Sequence, residues 1–258
     1  MKMDMTTRLK EIKDRQAEAD KLHLVTCKCE VHGVEYTMDT RITENQCPIC
    51  KAENEAKKQS ELLETKRYQR IIATGLPARF VEKTFDQYHT NTPLQEEIVS
   101  MVREYAQNDD SLSMGRCLML FGGVGTGKTH LAASVINEFI KPENKRTAIY
   151  TTARDMIRCI RASWGNRDID EGAVIDRYAS ADLLVIDEVG VQFGSEAESI
   201  LMFEIIDKRY GNRLPTAFLS NLSLGEIKQV LGDRVIDRMR EDDGLAIEMR
   251  WDSKRGKM

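Results

Sequence analysis

FGGVGTGKTHLAA, residues 121–133, follows the short apolar run CLMLF (117–121) and opens a stretch with helical apolar spacing, KTHLAASVINEFI (128–140). A short apolar run ending in glycines reads as a buried strand, so the sequence predicts strand, glycine loop and helix in succession. Gly122 and Gly127 are separated by four residues and are followed by Lys128 and Thr129, which is the P-loop spacing in the context it requires. Gly122, Gly125 and Gly127 let the backbone curl, so that the N–H groups of the loop, Gly123, Val124 and Thr126 included, turn toward phosphate oxygens. The N-terminus of the following helix adds favourable partial charge. Lys128 reaches the β- and γ-phosphates of a nucleoside triphosphate, and the Thr129 hydroxyl ligates Mg²⁺. His130 lies in the first helical turn; it is counted with this nucleotide-contacting stretch, and its ring has a structural role.

Working outward, strands and helices alternate. TAIYTT (147–152) reads as a strand and ARDMIRCIRASW (153–164) as a helix. DLLVIDE (182–188) is another buried strand, EAESILMFEIIDKRY (196–210) a helix, TAFLSN (216–221) a strand and LAIEMRW (245–251) a last strand. Such alternation predicts an α/β fold with a parallel sheet covered on both faces. Ligands on such sheets bind at the carboxyl ends of the strands. TGLPARF (74–80) breaks a charged helix over 52–73, because Gly75 and Pro77 are turn residues. The expected division is therefore an N-terminal module with a helical linker, 1–74, and a nucleotide-binding domain, 75–258. Residues 1–22 read as a polar helix.

A second part of the phosphate site follows from LLVIDE. The apolar strand ends in Asp187, a carboxylate suited to hold Mg²⁺ from the end of a strand neighbouring the P-loop strand. Glu188 stands one residue on, where it can polarise an attacking water. This acid pair points to hydrolysis by water rather than phosphoryl transfer to a small molecule. TAFLSN ends in Ser220 and Asn221; a polar side chain there, on a strand adjacent to the P-loop strand, can hold the nucleophilic water or touch the γ-phosphate.

The chain has 258 residues, 31% charged and 41% hydrophobic, with a net charge of −4. That balance suits a real core and argues against a generally basic nucleic-acid coat, while leaving room for a local basic groove. No apolar run approaches the roughly 20 residues of a membrane-spanning helix. The N-terminus, MKMDMTTRLKEIKDRQAEADK, lacks the apolar segment of a secretory signal, so the expected location is cytoplasmic.

Four of the six cysteines lie between residues 27 and 50. Clustered cysteines in a chain without an export signal read as metal ligands before disulfides. Cys29-x2-His32 and Cys47-x2-Cys50, two close pairs joined by a loop, suit a tetrahedral structural Zn²⁺. Cys27 is a fifth candidate that can replace Cys29 or His32. So small a module is stabilised outright by its metal. Cys117 and Cys159 read as core residues.

LGDRVIDRMRE (231–241) reads as a short helix with Arg234 and Arg238 on one face. Near a P-loop site such arginines have a use, because a cation at the γ-phosphate lowers an electrostatic barrier and Arg offers a rigid fork.

FGGVGTGKTHLAA, LLVIDEVGVQ (183–192), LSN (219–221) and especially VLGDRVIDRMR (230–240) followed by RWDSKR (250–255) resemble the DnaC-type replicative helicase loaders of the AAA+ ATPases. The likeness covers roughly residues 65–255. It implies an AAA+ fold and ATP hydrolysis to ADP. It makes Arg234 a finger entering a neighbour's ATP site, Arg238 a sensor touching ATP in its own site, and Asn221 the sensor on the strand. TGLPARFVEKTFDQY (74–88) resembles the segment near the adenine. The resemblance further implies a hexameric replicative DNA helicase and single-stranded DNA as partners, with self-association into a head-to-tail ring or spiral. The short stretch after Arg238 leaves no room for a separate helical lid, as in that group. The Cys/His cluster departs from DnaC-type loaders and is reminiscent of the zinc-bearing N-terminal module of DnaI-type loaders.

Loaders of this type contact single-stranded DNA along stacked subunits. Arg154, Arg158, Arg161 and Arg167 around Trp164 can form such a basic surface with an aromatic platform; the alternative is a solvated helix face with Trp164 as a core anchor. Two other functional classes also fit a P-loop: an IstB-type transposition helper that coats target DNA, and a small-molecule kinase. Glu188, Asn221 and the arginine pair disfavour the kinase.

Overall fold

A computed structural model describes residues 10, 13–14, 23–41, 46–164, 168–190 and 196–253. The polar helix expected over 1–22 falls almost wholly outside them, as do Arg167 and the Lys254–Arg255 end of RWDSKR. The chain divides into two compact units, Met1–Glu64 and Thr65–Met258.

In the first unit, β1 (Leu24–Lys28) and β2 (Glu35–Asp39) form an antiparallel hairpin. Helix α1 (Pro48–Ala73) starts in this unit, directly after Cys47, and ends in the second. It starts earlier than residue 52 because Pro48 suits the first turn, where no backbone donor is needed. Its last turns belong to the larger unit: Arg67 donates to the carbonyls of Ile140 and Asn137 at 2.7 and 2.8 Å, and Arg70 to those of Asn144 and Lys141 at 2.6 and 2.7 Å. The Gly75–Pro77 turn lies inside that unit.

The second unit continues with α2 (Pro93–Gln107), α3 (Asp109–Ser113), β3 (Leu118–Gly122), α4 (Lys128–Phe139), β4 (Ala148–Thr152), α5 (Ala153–Arg161), α6 (Glu171–Ser180), β5 (Leu183–Asp187), α7 (Glu196–Gly211), β6 (Thr216–Ser220), α8 (Leu224–Leu231), α9 (Asp233–Arg240) and β7 (Leu245–Met249). The five strands pair in parallel in the order β4-β5-β6-β3-β7. The strand carrying Asp187 is therefore not the neighbour of the P-loop strand, as the sequence suggested. β6 lies between them, so Asn221 follows the strand next to the P-loop strand, while Asp187 reaches Thr129 from one strand further away. Glycine fits that crowded strand end: Gly122 has φ +122°, and a Cβ there would lie 2.6 Å from the Met249 carbonyl oxygen.

Alternation along the strands explains the two-sided cover. Leu118, Leu120, Leu183, Val185, Ala217 and Leu219 face one core, completed by α2 and by Leu131, Val135, Ile136 and Phe139 of α4. Met119, Phe121, Leu184, Ile186 and Phe218 face the other, under α5 to α9. Capping groups set the helix starts. Thr92 accepts from the Gln95 N–H with Pro93 in the first turn, and Ser223 and Glu226 form a reciprocal box at α8. No helix among the described residues is long and apolar enough to cross a membrane.

Candidate nucleotide site and metal cluster

The carboxyl ends of β3, β5 and β6 open into a cavity of 630 Å³. Among its lining residues are Val124, Gly125, Gly127, Lys128, Thr129, His130, Asp187, Glu188 and Asn221, so sheet topology gathers residues that the sequence spreads over a hundred positions. Gly127 adopts φ +99° at the start of α4, and a Cβ there would meet the Tyr88 ring at 2.6 Å. Lys128 is buried, and its ammonium donates to the Gly122 and Gly123 carbonyls at 2.8 and 2.7 Å. Thr129 Oγ1 donates to Asp187 Oδ2 at 3.0 Å, bringing a hydroxyl and a carboxylate to one point. These hard oxygen donors, beside a loop built for phosphate, fit Mg²⁺. Glu188 is solvent-exposed at the rim, with φ 57°. Asn221 is also exposed there, while Ser220 Oγ is turned inward to donate to the Val189 carbonyl at 2.6 Å. His130 lines the cavity, and its Nε2 pairs with the Thr84 carbonyl at 2.9 Å, which ties α4 to the preceding segment.

Several contacts of this site escaped sequence reasoning. Tyr88 and Trp251, from opposite ends of the unit, both donate to the Thr126 carbonyl, at 2.7 and 3.0 Å, and brace the loop. Tyr150 donates to Asp187 at 2.6 Å. Pro77, Arg79, Phe80, Lys83 and Gln87 line the cavity from the segment expected near the adenine.

Arg234 and Arg238 are not among the lining residues. Arg234 is exposed, its guanidinium 5.9 Å from the Phe203 ring centre on α7. Arg238 stacks 4.0 Å over Tyr210, reaches Asp207 at 3.4 Å, and lines a small depression with Cys117, Leu214 and Thr216. Those last residues mark the amino ends of β3 and β6, whereas the nucleotide cavity lies at the carboxyl ends. Arg238 therefore stands outside the cavity in which its own-site contact was expected. The i, i+4 spacing correctly put both arginines on one face, but that face packs along α7 and leads away from the P-loop.

On α5, Met156, Ile157 and Ile160 are buried while Arg154, Arg158 and Arg161 point outward. Trp164 is 48% exposed and is no core anchor; its Nε1 donates to Glu171 at 2.8 Å and Arg161 lies 5.7 Å from its ring centre. Arg161 is also paired with Glu198 at 3.0 Å.

In the first unit the ligand atoms of Cys29, His32, Cys47 and Cys50 all lie within 4.8 Å of one another. Cys29 Sγ is 3.6 Å from both Cys50 Sγ and His32 Nδ1, and Cys50 Sγ is 3.3 Å from His32 Nδ1. A tetrahedral Zn²⁺ with bonds of ~2.3 Å to sulfur and ~2.0 Å to nitrogen spaces its ligands roughly 3.5–3.8 Å apart, so the donor set fits that ion. Cys27 stays on β1, outside the cluster. The backbone N–H of His32 donates to Cys29 Sγ and is the chief cause holding that thiol down at about 6. Glu53 of α1, also unforeseen, takes His32 Nε2 at 3.1 Å and leaves Nδ1 turned to the cluster. Metal-bound histidines are usually oriented by such a carboxylate.

A P-loop at the end of an interior parallel strand, with an acid pair at the end of β5 and a polar residue at the end of β6, fits an AAA+ ATPase. A family profile described as "IstB-like ATP binding protein" matches residues 57–242. Over 195 residues the chain is 33% identical to the replicative helicase loader DnaC of Buchnera aphidicola subsp. Baizongia pistaciae, covering 74% of this chain and 77% of that protein. It is 31% identical over 175 residues to the same loader of Escherichia coli K12, covering 68% and 70%. A crystal structure of the DnaC helicase loader superposes with a TM-score of 0.58 at 21% identity, over 67% of this chain and 98% of that one, which supports the fold. The chain belongs to the DnaC-type helicase loaders within the IstB-like ATP-binding proteins.

Proposed function

We propose that this ATPase binds a hexameric replicative DNA helicase and helps place it on single-stranded DNA. The naming of the two relatives supports this reading over the transposition helper. The observation that carries it is a nucleotide cavity equipped with Lys128, Thr129, Asp187, Glu188 and Asn221 but not with Arg234, which stands exposed elsewhere on the same unit. In this reading Lys128 leaves the loop carbonyls to bind the β- and γ-phosphates, and the loop N–H groups take the remaining oxygens. Bound Mg²⁺ neutralises phosphate charge and is held by Thr129 and Asp187. Glu188 polarises the attacking water, Asn221 orients it, and Arg234 of a neighbouring subunit stabilises charge at the γ-phosphate. A contact that offers a cavity on one side and a finger on the other is head-to-tail, and so builds a ring or a spiral.

The N-terminal module, with Zn²⁺ on Cys29, His32, Cys47 and Cys50, contacts the helicase. Arg154, Arg158, Arg161 and Trp164 face the DNA, and loading takes place in the cytoplasm. Co-purification of the full chain with candidate hexameric helicases, with and without ATP, tests the proposal. A stable complex with one of them is expected. Capture of a transposase and of no helicase would overturn it.

A further inference from the structure

Asp187 is held by a group that the P-loop pattern does not include. Tyr150 lies on β4, two residues before Thr152, the register partner of Asp187. Residues two apart share a face of a strand. The Tyr150 ring is buried in the core under α4, and the residue lines the nucleotide cavity. Its hydroxyl donates to Asp187 Oδ2 at 2.6 Å, the oxygen that also accepts from Thr129 at 3.0 Å. The other oxygen accepts from the Glu188 N–H at 2.7 Å. A carboxylate offers about four acceptor positions, so these donors fix its plane and leave one direction for anything else.

We infer that Tyr150 is a positioning residue for the Mg²⁺–ATP site, holding the Asp187 carboxylate in the orientation in which it and Thr129 receive the cation. The inference rests on the reading of the cavity as an Mg²⁺–ATP site. A phenol suits the task because it donates without bringing a positive charge that would compete with the metal. A residue that only packed would place its hydroxyl without regard to Asp187. This one spends it on the carboxylate that the proposed cation needs.

Tyr150→Phe keeps the ring and removes the oxygen. The experiment titrates Mg²⁺ into full-length protein with a fluorescent ATP analogue and reads the half-saturating Mg²⁺ concentration. Outer-shell partners of metal ligands are worth about 10- to 100-fold in metal affinity. The variant should therefore need at least about tenfold more Mg²⁺, with analogue affinity in EDTA unchanged within about twofold. In an Asp187→Asn background the same substitution should add nothing. An unchanged Mg²⁺ requirement, or equal loss of affinity in EDTA, overturns the inference. The first outcome removes any role toward the cation, and the second makes the hydroxyl a support of the pocket itself. Wild-type protein whose analogue binding ignores Mg²⁺ would instead bring down the Mg²⁺–ATP reading, and the inference with it.

Discussion

The two ends of the parallel sheet are unequal. At the carboxyl ends, backbone N–H groups, a lysine, two acids and an asparagine converge on one cavity. At the amino ends of β3 and β6, Arg238 is stacked on Tyr210 and paired with Asp207, and no phosphate-binding loop lies there among the described residues. Arg234, one helical turn before Arg238, is exposed and outside the cavity as well. Within one chain, the groups proposed to bind ATP and the arginines proposed to complete its hydrolysis are kept apart. An ATPase built this way gains if the missing cation comes from a second copy, since activity is then tied to assembly.

The largest effect that can break this contrast is expected at Lys128. Lys128→Ala removes charge-assisted hydrogen bonds to the phosphates and should weaken ATP binding about 100-fold, abolishing hydrolysis; equilibrium titration with a labelled nucleotide checks it. Glu188→Gln should bind ATP within about twofold of wild type and hydrolyse it at least about 100-fold more slowly, the scale of a lost general base. A wild-type rate in that variant would end the water-polarising role of Glu188.

Smaller effects at the nucleotide end sharpen the picture. Cys47→Ser should release one Zn²⁺ per chain by elemental analysis and expose residues 23–50 to protease, yet leave ATP affinity within about twofold. A metal-free module that still resists protease would contradict the metal's structural role. Arg238→Ala should have the least influence there: unchanged ATP affinity in the isolated chain, with a stability loss of about 0.5–1 kcal/mol from the Tyr210 stack, read by denaturant titration. A clear loss of ATP affinity would restore the own-site role that the sequence suggested.

The larger unit was legible because parallel strands buried on both faces read as apolar runs, as β3, β5 and β6 do, and helical spacing alternates with the strands. Its P-loop, Asp187, Glu188 and Asn221 could be read because each sits at a strand end, where chain order gives position. The β1–β2 hairpin was not, since Leu24 and Val25 are exposed and its alternation is too weak to separate from a loop. Helices α2, α3, α6 and α8 fell between the clearer signals. Tyr88, Tyr150, Trp251 and Glu53 act through contacts with residues distant along the chain, which no local spacing encodes. The order β5-β6-β3 and the remoteness of Arg238 share one cause: periodicity tells which face of an element a residue occupies, and says nothing of which end of the sheet that face meets.

The most direct test of the shared-site account mixes two inactive chains. Arg234→Ala protein keeps its P-loop and should bind ATP nearly normally without hydrolysing it. Lys128→Ala protein keeps its arginine and should bind none. The shared site predicts that the mixture regains part of the wild-type ATPase activity, because one kind of interface is then complete. A mixture that stays inactive while both variants still co-assemble would contradict it, and would leave Arg234 as a solvent-facing residue of α9.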